Sequence, residues 1–465
     1  MSPAPPPTWS LRLHLALFIG ALTLLGLALL LPHPAVEVAE DEQRRLAPAP
    51  ELSWSTLESS AFAEAIEAYL ADHFPARANF MAAHFWLKER RGRRDPRIAL
   101  YEPSSSVDDD LPPIEAWAPS AELHDELDEL DHLDPIIDLD ATEGIDDPDD
   151  PDAPLDPTSA HKEGGILIVD GRALQLFTGG PRGARAYASI LNDYEAALRD
   201  RVRVYSIIVP TAQTFYLPQK YAHFSRPEPP NIRATYDLMA PGVLTIDAHA
   251  ALKPHAREYI YFRTDHHWTA LGAYYAYIAF CQAAGLEPIA LDAMERRRKD
   301  NFRGSLYRLT RDSALGAAPD HVDYWLPPVD VRVTRYTPDM QRVAIQGPLI
   351  RERGAGYGVF LGGDFPLIIA KTDVNPGRRA LLIKNSYGNP FAVYLAAHFE
   401  RLLIVDYRYF NGSVLDLIRD HEVTDLIVLN GAITANARFH AARIGWVMDA
   451  GKRSRRARRR AAPAP

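Results

Sequence analysis

Residues 380–405 read ALLIKNSYGNPFAVYLAAHFERLLIV, which is an apolar run, a short polar turn, an amphipathic stretch and a second apolar run. The two runs, Ala380–Lys384 and Leu402–Val405, are almost entirely apolar rather than alternating, as expected of strands buried on both faces of a sheet. The stretch between them, Phe391–Glu400, has the length and composition of a helix. This order predicts a parallel β-α-β unit.

The same pattern of short apolar runs and amphipathic stretches extends on both sides of this unit. It predicts further strands at Ile166–Val169, Val202–Val209, Val243–Ile246, Leu367–Ala370 and Leu426–Leu429, and helices at Arg185–Leu198, Thr269–Ala284 and Val414–Asp420. We therefore predict an α/β fold over residues 161–450, with a parallel sheet flanked by helices. In such a sheet the functional site lies at the carboxyl ends of the strands.

Composition excludes several classes of protein. The chain has 465 residues, of which 47% are hydrophobic and 24% charged, as in ordinary globular proteins, so it is not wholly disordered or fibrous. A single cysteine, Cys281, excludes an internal disulfide, a zinc ribbon and a CxxC redox site. The net charge of −10 is unevenly distributed along the chain, but no domain carries a strongly basic surplus. Nucleic acid is therefore not an expected partner.

The amino-terminal part predicts a membrane anchor. Residues 15–31 read LALFIGALTLLGLALLL without a charge, which is about the length that a bilayer requires. Arg12 precedes this run and Glu37, Glu40 and Asp41 follow it, so residues 1–10 are expected in the cytoplasm, the span over 11–32, and the rest outside the cell membrane. A cleaved signal peptide and a buried helix remain alternatives.

The remaining segments are linkers and tails. Residues 33–100 are predicted to be a membrane-proximal helical segment, and residues 451–465 a basic disordered tail. Residues 101–157 contain 21 acidic residues and no Lys or Arg, which predicts a disordered acidic insertion over 101–160. A calcium site there is the alternative, with these candidate ligands: Asp138, Asp140, Asp146, Asp147, Asp149 and Asp150.

The first candidate for chemistry is Asp265-His266-His267, at the entrance of the helix Thr269–Ala284. An Asp two residues before a His allows the carboxylate to bond one imidazole nitrogen while the other nitrogen faces a cleft. That arrangement orients a general base and stabilises its protonated form. Metal ligation by these three residues and a purely structural cap remain alternatives, and we expect neither a metal nor a cofactor.

The second candidate is Ser386, which lies in the polar turn directly after the strand Ala380–Lys384. A serine at a strand-to-helix turn exposes its Oγ beside backbone N–H groups that stabilise an oxyanion. Many such serines are only helix caps, but together with Asp265 and His267 this one completes a nucleophile, a base and an orienting carboxylate.

Five other residues are candidates for substrate binding. Arg408 follows a predicted strand and suits a carboxylate or acyl oxygen, although an ion pair is the alternative. Thr211 also follows a strand, and capping of its loop is the alternative. The other three candidates are His266, Tyr387 and Asn430.

Residues 264–277, TDHHWTALGAYYAY, resemble the signature of the DHHW protein family, which is related to the alginate O-acetyltransferase-like proteins. Further similar stretches occur in the same order: residues 42–47, 72–77, 209–212, 217–218, 304–307, 359–363 and 406–409, and then Asn430. The resemblance covers most of the chain outside the acidic insertion and the tail. One departure is Asn385, where family members usually carry Asp before the serine.

The resemblance implies an SGNH-hydrolase-like fold, with Ser386 as nucleophile and His267 and Asp265 as its partners. It further implies an O-acetyltransferase of an exported polysaccharide that acts outside the cytoplasm, with a membrane-bound acyltransferase as partner that delivers the acyl group. An esterase with the same triad and a non-catalytic polysaccharide-binding envelope protein are the alternatives.

Overall fold

The computed structural model describes residues 165–336, 343–352 and 356–450 continuously. Before residue 165 it describes residues 61–74, residues 98–101 and short pieces between 15 and 87. The predicted acidic insertion beyond Tyr101 and the basic tail lie outside the described residues, as do the candidate calcium ligands. The chain divides into two compact units, residues 1–93 and 94–465.

The described part of the first unit includes helix α1 (Ala61–Asp72) and two paired strands, β1 (Val38–Ala39) and β2 (Arg44–Arg45). The Asp72 carboxylate accepts a hydrogen bond from the backbone N–H of Ala47 at 2.8 Å. Most of the predicted span over 11–32 lies outside the described residues, although residues 15–20 are helical. Among the residues described, no helix has the length and apolar character needed to cross a membrane.

The second unit contains the remaining elements. Its strands are β3 (Ile98–Tyr101), β4 (Ile166–Val169), β5 (Arg172–Gln175), β6 (Arg203–Val209), β7 (Val243–Ile246), β8 (Glu295–Phe302), β9 (Asp320–Leu326), β10 (Arg332–Tyr336), β11 (Val343–Gly347), β12 (Leu367–Lys371), β13 (Arg379–Lys384), β14 (Arg401–Asp406) and β15 (Asp425–Gly431). Its helices are α2 (Pro181–Leu198), α3 (Gln213–Tyr216), α4 (Glu228–Asp237), α5 (Ala248–Leu252), α6 (Ala270–Ala284), α7 (Ser305–Thr310), α8 (Ser313–Ala317), α9 (Gly388–Leu395), α10 (Val414–Asp420), α11 (Ala432–Ala435) and α12 (Arg438–Met448).

The central sheet has eight strands in the order β11-β10-β12-β14-β13-β15-β6-β7. The five strands from β14 to β7 are parallel. Their side chains are buried on both faces, because neighbours such as Leu381 and Leu382 enter two different hydrophobic clusters. Helices α6 and α9 cover one face, and α2 and α12 cover the other. The predicted α/β sheet flanked by helices is therefore confirmed.

The prediction of a fully parallel sheet is wrong at one edge. Strand β12 is antiparallel to β14, and the hairpin β10–β11 continues antiparallel beyond it. The connection between β12 and β13, residues 372–378, is too short for the crossover helix that two parallel strands require. The strand predicted at Ile166–Val169 exists, but it belongs to a separate antiparallel sheet, β3-β4-β5.

Candidate active site

The loop between α5 and α6 presents the residues Asp265, His266 and His267. Its base is closed by an isolated antiparallel bridge between Tyr261 and Trp268, and the backbone N–H of Phe262 donates to the carbonyl of His267. At the helix entrance, Thr269 caps α6 by accepting a hydrogen bond from the N–H of Gly272. The loop therefore leads directly into a rigid helix, which fixes the direction of the two histidines.

The carboxylate of Asp320, at the start of β9, anchors the same loop. Its Oδ2 accepts hydrogen bonds from the backbone N–H of Arg263 at 3.0 Å and from both the N–H and the hydroxyl of Thr264 at 2.7 Å. The side chain of Asp320 is fully buried. One carboxylate thus satisfies three donors of the loop immediately before Asp265.

Ser386 lies two residues after the end of β13, in the turn that enters α9. The carbonyl of Ser386 accepts a hydrogen bond from the N–H of Asn389 at 3.1 Å, and that of Asn385 accepts one from Gly388 at 2.9 Å. These bonds tighten the turn at the carboxyl edge of the parallel strands. This is the edge at which a parallel sheet places its site.

The structure brings Asp265, His267 and Ser386 together. The Oγ of Ser386 lies 2.7 Å from Nε2 of His267, and Nδ1 of the same ring lies 2.6 Å from Oδ1 of Asp265. All three residues are buried, and Ser386 retains 8% of its surface. The chain of hydrogen bonds from carboxylate to imidazole to hydroxyl has the order that activates a serine nucleophile.

Two further hydrogen bonds hold the Asp265 carboxylate. Its Oδ1 also accepts the backbone N–H of His267 at 2.9 Å, and its Oδ2 accepts the N–H of Ser305 at 2.7 Å. Burial by itself would raise the pKa of Asp265, but the charge of His267 and the hydrogen bonds from His267 and Ser305 outweigh it. The pKa is therefore held well below its usual range, and the group stays ionised.

Arg408, a candidate for substrate binding, lies in a buried ion-pair network at the ends of β13 and β14. Its Nη2 lies 2.8 Å from both Asp364 and Asp406, and Lys384 pairs with the same two carboxylates at 2.8 and 2.7 Å. We call these four residues the buried ion network. Since Arg408 bonds two carboxylates and is 2% exposed, the ion-pair alternative describes its contacts better than substrate binding does.

Thr211 and Asn430 make structural contacts at the same edge of the sheet. Both the N–H and the hydroxyl of Thr211 donate to the buried carboxylate of Glu228 at 2.7 Å. Asn430 is fully buried and donates to the hydroxyl of Tyr187 at 3.1 Å. Neither residue contacts Ser386 or His267 through a hydrogen bond given for the described residues.

Tyr387 and His266 pack directly around the triad. The hydroxyl of Tyr387 donates to the carbonyl of His266 at 2.6 Å, and its ring lies 5.1 Å from that of His267. The ring of His266 lies 3.7 Å from that of His267, and its Nδ1 is 2.6 Å from the hydroxyl of Ser305. Both candidates therefore support the geometry of His267.

The side chain of Asn385 engages one of the backbone N–H groups beside Ser386. Its Oδ1 accepts the N–H of Tyr387 at 3.2 Å, and its Nδ2 donates to the hydroxyl of Thr434 at 3.0 Å. The N–H of Tyr387 is thus engaged within the protein. Among the described residues, none accepts a hydrogen bond from the N–H of Ser386, and this group is therefore a candidate donor to an oxyanion.

The sequence of this chain also matches a known protein family. The family model described as "DHHW protein" matches residues 136–405, more than half of the chain. The chain belongs to the DHHW family. No curated protein matches it.

Similar solved structures include another member of this family. A DHHW family protein from Eubacterium siraeum is 31% identical, with a TM-score of 0.56 over 60% of this chain and 94% of that chain. Bacillus cereus PatB1, solved with a sulfonyl adduct, is 21% identical, with a TM-score of 0.52 over 59% of this chain and 97% of that chain. The O-acetyltransferase domain of Pseudomonas putida AlgJ is 16% identical, covers 57% of this chain and 90% of that chain, and at a TM-score of 0.35 is too distant to bear on function.

The DHHW signature residues also offer ligand atoms for a metal. Atoms of Asp265, His266 and His267 lie within 4.8 Å of one another. However, both ring nitrogens of His267 are engaged by Asp265 and Ser386, and Nδ1 of His266 is engaged by Ser305. We therefore assign these side chains to the hydrogen-bond chain and not to a metal centre.

Three supporting residues of this DHHW site were not given a role from sequence: Ser305, Asp320 and Tyr357. Ser305 belongs to the stretch Gly304-Ser305-Leu306-Tyr307, whose resemblance to the family was the available signal. Asp320 and Tyr357 lie 55 and 92 residues after Asp265, in segments without a local motif. Their roles arise only from tertiary contact.

Gly304 makes a close approach that the site depends on. A Cβ added at Gly304 would overlap the side chain of Asp265. We expect Gly304→Ala to displace the carboxylate and to lower ester turnover by about 10²-fold or more, since small displacements in a site carry such penalties. The measurement is the turnover of an activated acetyl ester, with Gly358→Ala as control, because a Cβ at Gly358 meets no atom within 4 Å. Equal turnover in both variants would contradict this prediction.

The buried ion network predicts a loss of stability in acid. Burial would raise the pKa of Asp364, but the charges of Lys384 and Arg408 hold it well below its usual range. Its contribution to folding is therefore complete above the unfolded-state pKa of about 4 and is lost as the pH falls below it. Urea unfolding across acidic pH should show the free energy of unfolding falling with pH, with a shallower slope in Asp364→Asn. An identical slope in the two proteins would argue against the prediction.

Proposed function

We propose that this DHHW protein is a polysaccharide O-acetyltransferase that works through an acyl-serine on Ser386. The observation that carries the proposal is the continuous chain of short hydrogen bonds from Asp265 through His267 to Ser386. These are buried groups at the carboxyl edge of the sheet, and their hydrogen bonds to one another engage both ring nitrogens of His267. The resemblance to the O-acetyltransferase-like proteins supports acyl transfer as their reaction.

The first half of the reaction forms the acyl-enzyme. Oγ of Ser386 attacks the acyl carbonyl of the donor while Nε2 of His267 takes its proton, and the ionised Asp265 stabilises the resulting imidazolium. The N–H of Ser386 supports the oxyanion of the tetrahedral intermediate. The leaving group of the donor departs with the proton from His267.

The second half transfers the acyl group to a sugar. His267 removes the proton of a polysaccharide hydroxyl, whose oxygen attacks the acyl-serine carbonyl. The bond to Oγ of Ser386 breaks, and Oγ recovers the proton from His267. The products are the O-acylated polysaccharide and the original enzyme.

The setting of the reaction is also part of the proposal. The apolar run at residues 15–31 and the charges around it support a single-pass anchor with the catalytic domain outside the cytoplasm. Because activated acyl donors are made inside the cell, such an enzyme requires a partner that passes the acyl group across the membrane. We propose a membrane-bound acyltransferase as this partner and an exported polysaccharide as the acceptor.

Competition between acceptors tests the proposal. The full chain is loaded with an activated acetyl ester, and the acetyl group is followed to water and to added polysaccharides of different composition. A polysaccharide that accepts acetyl faster than water does, with no acceptance in Ser386→Ala, supports the transferase. Release to water that no polysaccharide changes would instead identify an esterase with the same triad.

A further inference from the structure

Tyr357 contacts two of the three triad residues, Ser386 and His267. It lies in a one-turn 3-10 helix, Gly356–Val359, between β11 and β12. Its hydroxyl donates to the backbone carbonyl of Ser386 at 2.9 Å. Its ring stacks on the imidazole of His267, with the ring centroids 4.0 Å apart and the planes 9° from parallel.

The stacking has a direct electrostatic consequence. The face of an aromatic ring carries negative potential and attracts a cation placed over it, most strongly where water is excluded. Tyr357 and His267 are both buried, at 9% and 6% exposure. The Tyr357 ring therefore favours the imidazolium over the neutral imidazole, and the imidazolium is the form that appears when His267 takes the Ser386 proton.

The hydroxyl of Tyr357 is held in a protonated state that can donate to the Ser386 carbonyl. Burial, followed by the nearby charges of Asp265 and Asp364, raises the pKa of Tyr357 well above its ordinary value. The hydroxyl thus stays protonated and remains a donor to the Ser386 carbonyl. The ring packs edge-on against Phe360 and Phe262, at 5.2 and 6.2 Å between centroids, which fixes it in place.

We propose that Tyr357 is a positioning residue, which supports the protonated form of His267 with its ring and holds the Ser386 backbone with its hydroxyl. Its use in catalysis rests on the proposed function of the triad. The other titratable groups that face His267 are Asp265, His266 and Tyr387. These groups are common to all of the variants compared below.

The test compares the titration of His267 in the wild type, Tyr357→Phe and Tyr357→Met. Phenylalanine keeps the ring face and loses the hydroxyl, whereas methionine fills much of the volume without a ring. Each full-length protein is labelled with ¹³C in histidine, and the His267 signal is assigned by its absence in His267→Gln. We expect an unchanged midpoint in Tyr357→Phe and a midpoint lower by about one pH unit in Tyr357→Met, the shift that loss of a buried cation–π contact would produce.

Each outcome bears on the proposal. Equal midpoints in all three proteins would overturn it, since the ring face would then make no difference to the protonation of His267. If Tyr357→Met does not fold, a midpoint in Tyr357→Phe lower by about one pH unit would also overturn it, because the ring face is still present. The titration needs no turnover, so the expected midpoints in a protein without acyl transfer would uphold the coupling of Tyr357 to His267 and refute the proposed function alone.

Discussion

Ser386→Ala and His267→Ala should each lower acyl transfer by about 10³-fold or more, and the double variant should lose little beyond either single variant. The reason is the 2.7 Å hydrogen bond between Ser386 Oγ and His267 Nε2. A nucleophile and its base act as one unit, so removing either one removes the contribution of both. Initial rates with an activated acetyl ester measure the effect.

The control for this pair of variants is His223→Ala. His223 is exposed, and its ring lies beside that of Phe224 with the centroids 4.1 Å apart, so its loss should leave the rate unchanged. Melting temperatures of all variants separate a chemical effect from misfolding. Losses that multiply in the double variant would mean that Ser386 and His267 act independently, and the triad would be refuted.

Asp406→Ala should destabilise the fold by about 3–5 kcal/mol, the cost of leaving a buried charge without its partner. The Asp406 side chain is fully buried and pairs with both Lys384 and Arg408, which are themselves 1% and 3% exposed. Alanine would leave two buried cations with only Asp364 between them. The free energy of unfolding in urea measures the loss.

The chain offers a matched control in the exposed pair Arg332–Asp373. Its N···O distance is 2.7 Å, the same as between Lys384 and Asp406, but its side chains are 58% and 83% exposed. Asp373→Ala should cost less than about 1 kcal/mol, because water screens an exposed pair. A similarly small loss of unfolding free energy for Asp406→Ala would show that burial does not make the ion network more important for stability than an exposed pair.

The sequence was sufficient to predict the parts of the fold that depend on local pattern. Continuous apolar runs predicted the central strands, and the bounds of β13 and β14 were correct within one residue at each end. The strand-end positions of Ser386 and of the loop at Asp265 and His267 followed from the topology of such sheets. Asp265, His267 and Ser386, which span 121 positions of the sequence, thereby became candidates for one site.

The remaining features depend on contacts between distant segments. Strand β12 is as apolar as its parallel neighbours, so its composition does not reveal that it runs antiparallel. Arg408 follows a strand in the manner of a substrate-binding residue, and only the fold places two carboxylates beside it. Tyr357 has an ordinary sequence context, and its stacking on His267 appears only in three dimensions.

The most direct test of the account is the intact mass of the full chain after incubation with 4-nitrophenyl acetate, with Ser386→Ala in parallel. The account predicts that the wild type gains the mass of one acetyl group, that peptide mapping places it on Ser386, and that Ser386→Ala gains none. Acetylation to the same extent in Ser386→Ala, or none in a folded wild type, would contradict the assignment of Ser386 as the nucleophile.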